Sequence, residues 1–169
     1  AAVGGTGFAK VGGNYAGGMK ATKKALENGC KEVLWLDAHE HKYVEEVGTS
    51  NAFFMIGDEV ITAPLGGSIL PGVTRDSTIT LLRKWGYTVS ERRLSIQDIE
   101  AASKDGSLQE AWATGTACVI SPIGYLRYMD RDIVIHGGGV GPVSQKLYDH
   151  IYGMQTGVVA DDMGWIVQL

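Results

Sequence analysis

A lysine set among glycines is the first feature that invites a chemical reading: Lys10-Val11-Gly12-Gly13-Asn14-Tyr15. Glycines let backbone approach a ligand closely. A lysine amine drawn out of water gives up its proton and condenses with carbonyls to a Schiff base. A solvated lysine in a flexible loop has the same local sequence. Glu46-Val47-Gly48-Thr49-Ser50-Asn51 places an acid inside an apolar, β-rich stretch. If buried, that carboxylate needs a cation, and a protonated pyridine ring would serve; a surface strand acid is the plainer alternative. In Ile69-Leu70-Pro71-Gly72-Val73-Thr74-Arg75 a glycine precedes a helix start, where free N–H groups and the dipole face an anion. Thr74 adds a hydroxyl, although simple capping needs no ligand. Thr114-Gly115-Thr116-Ala117-Cys118 offers hydroxyls and N–H groups at a strand break, suited to phosphate or carboxylate, or merely a β-bulge. Asp37, His39, Glu40 and His41 have metal-ligand types, but no fitting third site follows and they read as a solvated turn. Gly137-Gly138-Gly139 lacks the rest of a dinucleotide fingerprint. Cys118 has no evident base nearby and is not read as a nucleophile. No metal is expected.

Those segments must be held by a scaffold. Ala16 to Asn28 has helical spacing, with Met19, Thr22, Ala25 and Leu26 on one face and Asn28-Gly29 as the stop. Glu32 to Leu36 reads as a buried strand, and Asp37 to His41 as a polar turn. Val44 to Ile56 reads as one long strand interrupted at Gly48; alternation along it would put Glu46, Gly48 and Ser50 on one face and Val47, Thr49 and Asn51 on the other. Gly57-Asp58 turns the chain into Val60–Thr62. A helix from Thr74 to Trp85 follows, closed by Gly86, then a strand from Thr88 to Leu94. Ser95 with Asp98 caps a short helix to Lys104. Leu108 to Ile120 reads as strand broken at Thr114-Gly115. Tyr125–Met129 and Ile133–Ile135 form a hairpin about Asp130-Arg131-Asp132. Pro142 begins a last helix to Tyr152, and 165–167 is expected to be a final strand.

The chain has 169 residues, enough for one domain with a real core. A formal net charge of −4 and the lack of a basic run argue against a nucleic-acid surface. The apolar runs are too short for a transmembrane helix, and no signal peptide is expected. The two cysteines form neither a disulfide framework nor a zinc pattern, so a reducing cytoplasm is the plain expectation. Its 24 glycines are clustered and not periodic, which implies tight loops and no repeat. The opening Ala1-Ala2-Val3-Gly4-Gly5-Thr6-Gly7 is loop chemistry with no capped element before it, and it suggests a chain cut from a longer one.

Taken in order and spacing, Gly5 to Tyr15, Glu46-Val47-Gly48-Thr49, Leu70 to Arg75 and Gly115-Thr116-Ala117 resemble the branched-chain amino acid aminotransferases, class IV, fold-type IV pyridoxal-phosphate (PLP) enzymes. Gly141-Pro142 and Gly164-Trp165 extend the resemblance to nearly the whole chain. It implies an α/β (mixed α+β) fold like that of D-amino acid aminotransferase, the large domain being a mixed-sheet pseudobarrel flanked by helices. Residues 1–169 would be that C-terminal, cofactor-binding domain, and the small N-terminal domain would be absent. By the same resemblance Lys10 is the Schiff-base lysine and proton shuttle. Glu46 pairs with the pyridine nitrogen and keeps it protonated, and Tyr15 bonds the 3′-oxygen. Leu70, Gly72, Val73 and Thr74 form the phosphate-binding helix start, with Thr116 a second phosphate donor. Thr116 and Ala117 hold the substrate carboxylate, and Thr49 stands behind the ring. Implied partners are amino acid and 2-oxo acid substrates, the missing N-terminal domain and, at full length, a second copy in a homodimer; neither membrane nor nucleic acid is implied. The implied reaction is transamination of leucine, isoleucine and valine with 2-oxoglutarate, with little activity from this chain alone. A D-amino acid aminotransferase or aminodeoxychorismate lyase of the same class is the nearest alternative, and a non-catalytic binding or scaffold domain the alternative outside it. Departures are Trp112-Ala113 where the family has Phe-Gly, expected to alter packing near the cofactor, and Ser121, which removes the Cys-x-x-Cys of some members.

Overall fold

The computed structural model describes residues 1–167. Its elements in chain order are α1 (Gly12–Glu27), β1 (Leu34–Leu36), β2 (Val44–Val47), β3 (Ser50–Ile56), β4 (Glu59–Thr62), α2 (Val73–Lys84), β5 (Thr88–Glu91), α3 (Ile96–Asp105), β6 (Leu108–Gly115), β7 (Val119–Pro122), β8 (Tyr125–Tyr128), β9 (Arg131–Val134) and α4 (Pro142–Gln155). Seven strands form one sheet in the order β1-β2-β3-β4-β5, with β6 pairing β3 and β7; β8 and β9 make a separate hairpin. Because a strand has two edges, β2 and β4 share one edge of β3, at Ser50–Asn51 and Phe53–Ile56, while β6 runs along the other. Every pair is antiparallel except β4 with β5, which α2 connects as a parallel crossover. The result is an open mixed sheet flanked by helices, the class read from the sequence.

Alternation along β3 divides the core. Phe53 and Met55 face one way and pack with Val60, Trp112, Leu82 of α2 and Leu147 of α4. Ala52 and Phe54 face the other way, with Ile61, Ala113, Ile99 of α3, and Leu126 and Ile133 of the β8–β9 hairpin. Each large side chain so buried contributes about 2 kcal/mol. Trp112 stacks on Phe53 with centroids 5.6 Å apart, fully buried. It thus serves the α2–α4 face, the same face of the sheet as Thr114 and Asn51. By contrast α1 contributes no buried residue, and Met19 and Leu26 are 71% and 59% exposed.

Several sequence-based expectations are corrected. Residues 44–56 are not one strand but a hairpin turning at Gly48-Thr49, where Gly48 takes φ +56 and its N–H bonds the Val33 carbonyl at 2.8 Å. Glu46 consequently lies opposite Asn51, and Val47 opposite Ser50, on paired strands; the face assignment from simple alternation fails, because opposite residues of an antiparallel pair share a face. Helix α1 begins at Gly12, four residues early, despite the poor helix propensity of glycine. The Asn14 side chain secures that start, donating to the carbonyls of Thr6 and Ala9, both at 2.9 Å. Residues 165–167 form no strand: the Asp161 carboxylate accepts from the N–H groups of Met163 and Ile166, and these bonds close the tail into a local turn. The break after Thr114-Gly115 is likewise a hairpin connection, β6 to β7, and not a bulge in one strand. β5 ends at Glu91, short of Leu94, whose carbonyl instead accepts from Val44.

Candidate active site

Three connections crowd one end of the sheet: Gly48-Thr49, the turn after Gly115, and the loop from Ser68 to Gly72. Strand pairing explains their company. Asn51 lies opposite Glu46 on β2 and opposite Thr114 on β6, so these three residues form a row across the sheet.

Glu46 is half-buried, and its Oε1 accepts from Asn51 Nδ2 at 3.2 Å and from the Leu70 N–H at 3.3 Å. Among the described residues it forms no salt bridge. Burial raises its carboxyl pKa from the ordinary 4.5 to about 7, against the lowering pull of the Leu70 N–H and with a push from the Glu45 charge. A cation set against Glu46 would relieve that penalty.

Gly72 caps α2 in an extended conformation without a side-chain bond. The first intrahelical bond runs from Asp76 N–H to the Gly72 carbonyl, so the N–H groups of Val73, Thr74 and Arg75 find no backbone acceptor among the described residues. Val73 is 82% exposed, which leaves that turn accessible. The buried Arg75 guanidinium fixes the helix start from below, donating to the Ala63 carbonyl at 2.8 Å and to Glu91 at 2.9 Å.

On the other face a cavity of about 1150 Å³ is lined by Lys10, Thr49, Ser50, Gly115, Thr116 and Ala117, among others. Tyr15, Glu46, Leu70, Gly72, Val73 and Thr74 are not part of its lining. The expected site residues therefore fall into two groups: Lys10, Thr49, Thr116 and Ala117 at the cavity, and Glu46, Leu70, Gly72, Val73 and Thr74 around the α2 start. Tyr15 stands on the exposed first turn of α1. The groups meet through packing. Gly7, three residues before Lys10, lies against the Ser68 carbonyl so closely that a β-carbon would overlap it.

Two structural residues escaped the sequence reading. Glu110, on β6, is buried and accepts from the N–H groups of Val143 and Ser144, both at 2.9 Å, capping α4 from across the core. An acid two residues from Trp112 in a strand is the only sign of it. Asn51 bonds both Glu46 and the Leu70 carbonyl, at 3.2 and 2.9 Å; an amide closing an apolar strand start carries no specific signal. The Asp37 carboxylate, one of the metal-type residues, accepts from the backbone of Glu40, Lys42 and Tyr43. Burial raises its pKa, but these bonds outweigh it and hold the carboxyl well below its usual range.

A sheet end offering a half-buried carboxylate beside a helix start whose first N–H groups are not bonded within the described residues suits an organic group that bears both charges. With the open mixed sheet, this is the fold-type IV architecture. The chain belongs to the class IV aminotransferases: the family model, amino-transferase class IV, matches residues 9–125. It is 52% identical over 166 residues to branched-chain-amino-acid aminotransferase 2 of Bacillus subtilis, covering 98% of this chain and 46% of that protein. A probable branched-chain-amino-acid aminotransferase of Staphylococcus aureus is 51% identical over 164 residues, covering 97% of this chain and 46% of that protein. Among solved structures, the branched-chain amino acid aminotransferase of Escherichia coli superposes with a TM-score of 0.83 at 30% identity, over 99% of this chain and 53% of that one. The branched-chain aminotransferase of the thermophilic archaeon Thermoproteus uzoniensis, solved with norvaline, gives 0.78 at 25% identity, over 95% and 49%. The chain thus spans about half the length of the curated relatives it matches.

Proposed function

We propose that the chain is the cofactor-bearing domain of a branched-chain amino acid aminotransferase that takes pyridoxal 5′-phosphate and exchanges the amino group of leucine, isoleucine or valine with 2-oxoglutarate. The observation that carries this is the pairing of an unneutralised, half-buried Glu46 with the uncapped start of α2, in a chain 52% identical to such an enzyme. The donor set fits the cofactor. Glu46 would face the ring nitrogen, the N–H groups of Val73 and Thr74 with the Leu70–Gly72 turn would hold the phosphate, and Thr116 would add a hydroxyl. Bound there, the cofactor supplies a ring that accepts electrons from the substrate. Tyr15 would orient the ring through its 3′-oxygen, with Thr49 behind it. Ala117 N–H and Thr116 would hold the substrate carboxylate. The Lys10 amine would hold the cofactor and move the proton at the substrate α-carbon.

The proposal extends to a reducing setting such as the cytoplasm, consistent with free Cys30 and Cys118, and to a homodimer at full length. No helix among the described residues is long and apolar enough to cross a membrane. The test is to mix the chain with pyridoxal phosphate, reduce with borohydride and map the modified peptide. Cofactor mass on Lys10, lost in Lys10→Ala, is the expected result; uptake indifferent to that substitution would overturn the assignment. In the full-length protein Lys10→Ala should abolish leucine transamination.

A further inference from the structure

Asn51 is 4% exposed, yet its side chain reaches both halves of the α2-side site. Its Nδ2 donates to Glu46 Oε1 at 3.2 Å and to the Leu70 carbonyl at 2.9 Å. Its Oδ1 lies against Gly72 so closely that a β-carbon there would overlap it. Gly72 has φ −68 and ψ 135, a conformation open to any residue. Backbone strain therefore does not demand glycine at 72; the Asn51 side chain does. Glu46 also accepts from the Leu70 N–H, so carboxylate, amide and loop close one hydrogen-bonded ring.

We propose that Asn51 is a positioning residue that clamps the Glu46 carboxylate to the Leu70–Gly72 turn, and thereby fixes the separation between the cation-facing carboxylate and the anion-facing N–H groups of α2. This rests on the cofactor reading above. A rigid aromatic cofactor that presents a ring nitrogen at one end and a phosphate at the other needs that separation fixed before it arrives, since a misplaced anchor weakens both contacts. The amide suits the task because it donates twice without adding charge beside Glu46. Aspartate would keep the shape but remove both donations and set a second carboxylate against the first.

Two measurements on the cofactor-free chain test this. The first follows the Glu46 carboxyl and the amide resonances of Leu70 and Val73 by NMR through pH 7, and titrates inorganic phosphate against Val73 and Thr74. Asn51→Asp should uncouple Leu70 from the Glu46 titration and weaken phosphate binding by about tenfold, the scale of one lost net hydrogen bond. The second is a cycle of Gly72→Ala and Asn51→Ser. Gly72→Ala should weaken phosphate binding in the wild-type background but cost little more in the Asn51→Ser background, which is already weakened by loss of the two donations and no longer holds the overlapping amide. A Gly72→Ala penalty equal in both backgrounds overturns the clamp, as does an Asn51→Asp chain with unchanged Glu46 titration and phosphate affinity. The cycle uses no aspartate variant, so loss of that variant to misfolding leaves it decisive. If the wild-type chain takes up no pyridoxal phosphate while both couplings hold, the cofactor assignment fails and the clamp stands.

Discussion

At Glu46 the cost of burial falls on the ionised carboxylate, and this gives the chain a distinctive response to pH. With the folded-state pKa raised to about 7 from 4.5, the folded chain keeps a proton that the unfolded chain has already released between those values. The folded state binds more protons in that window, so stability falls as pH rises through it and levels off above about 7. Glu46→Gln removes the titration. Urea unfolding of the cofactor-free chain at about pH 5 and about pH 8 should show a smaller loss of stability on raising the pH in Glu46→Gln than in the wild type. Equal losses would mean that burial does not govern this group. A cation seated against Glu46 favours its charged form, so the loaded protein should lose the same slope. The neighbouring Glu45 carboxylate works against ionisation, while Ser68 donates to it and anchors the loop that carries Leu70.

Helix ends are where element-scale stability can be weighed, because two helices here are capped by opposite strategies. Ser95 and Asp98 form a local capping box on α3, with the Asp98 N–H to Ser95 Oγ at 3.0 Å and the Ser95 N–H to Asp98 Oδ2 at 3.1 Å. Ser95→Ala should cost about 1 kcal/mol. Glu110 caps α4 from the core, and Glu110→Ala would leave the Val143 and Ser144 N–H groups buried without acceptors, a cost of about 3 kcal/mol. Denaturation midpoints of the two variants should rank in that order; a smaller effect at Glu110 would show that water replaces its oxygens. The contrast also explains what sequence could reveal. The α3 cap lies within four residues, so Ser95 and Asp98 disclose it, as Pro142 discloses the start of α4 and Gly86 the end of α2. The Glu110 cap joins residues 33 and 34 positions apart, and no local pattern records it. Gly48 misled for a related reason. Valines before it and phenylalanines and isoleucine after it favour strand equally, so only the antiparallel pairing of Val47 with Ser50 distinguishes a turn from a bulge. At the site, residue types pointed to Glu46 and the α2 start, while the clamp between them depends on a strand pairing that types alone do not specify.

At the scale of the molecule, the chain covers 46% of its Bacillus subtilis relative, and its surface shows where further protein would matter. Helix α1 buries no side chain, although Tyr15, Met19 and Leu26 fall on one stripe with Thr22. Phe8, just before Lys10, is exposed as well. An apolar stripe beside the proposed reactive lysine calls for cover, and turnover requires a pocket that excludes water and holds the α-carbon in place. On the function proposed above, part of that wall would come from the small N-terminal domain that the resemblance implies. The 169-residue chain alone should therefore bind pyridoxal phosphate weakly, self-associate with rising concentration in sedimentation velocity, and transaminate leucine slowly or not at all. Adding the small domain of a close relative as a separate polypeptide should restore activity and suppress self-association together, because both depend on covering the same stripe. Leucine transamination by the lone chain at the rate of its full-length relatives would refute this outright. Restored activity with unchanged self-association would place the missing wall elsewhere than α1. Met19→Lys separates these outcomes further: on an exposed stripe it should abolish self-association without unfolding the chain, since no buried contact is lost, and it should weaken rescue by the added domain.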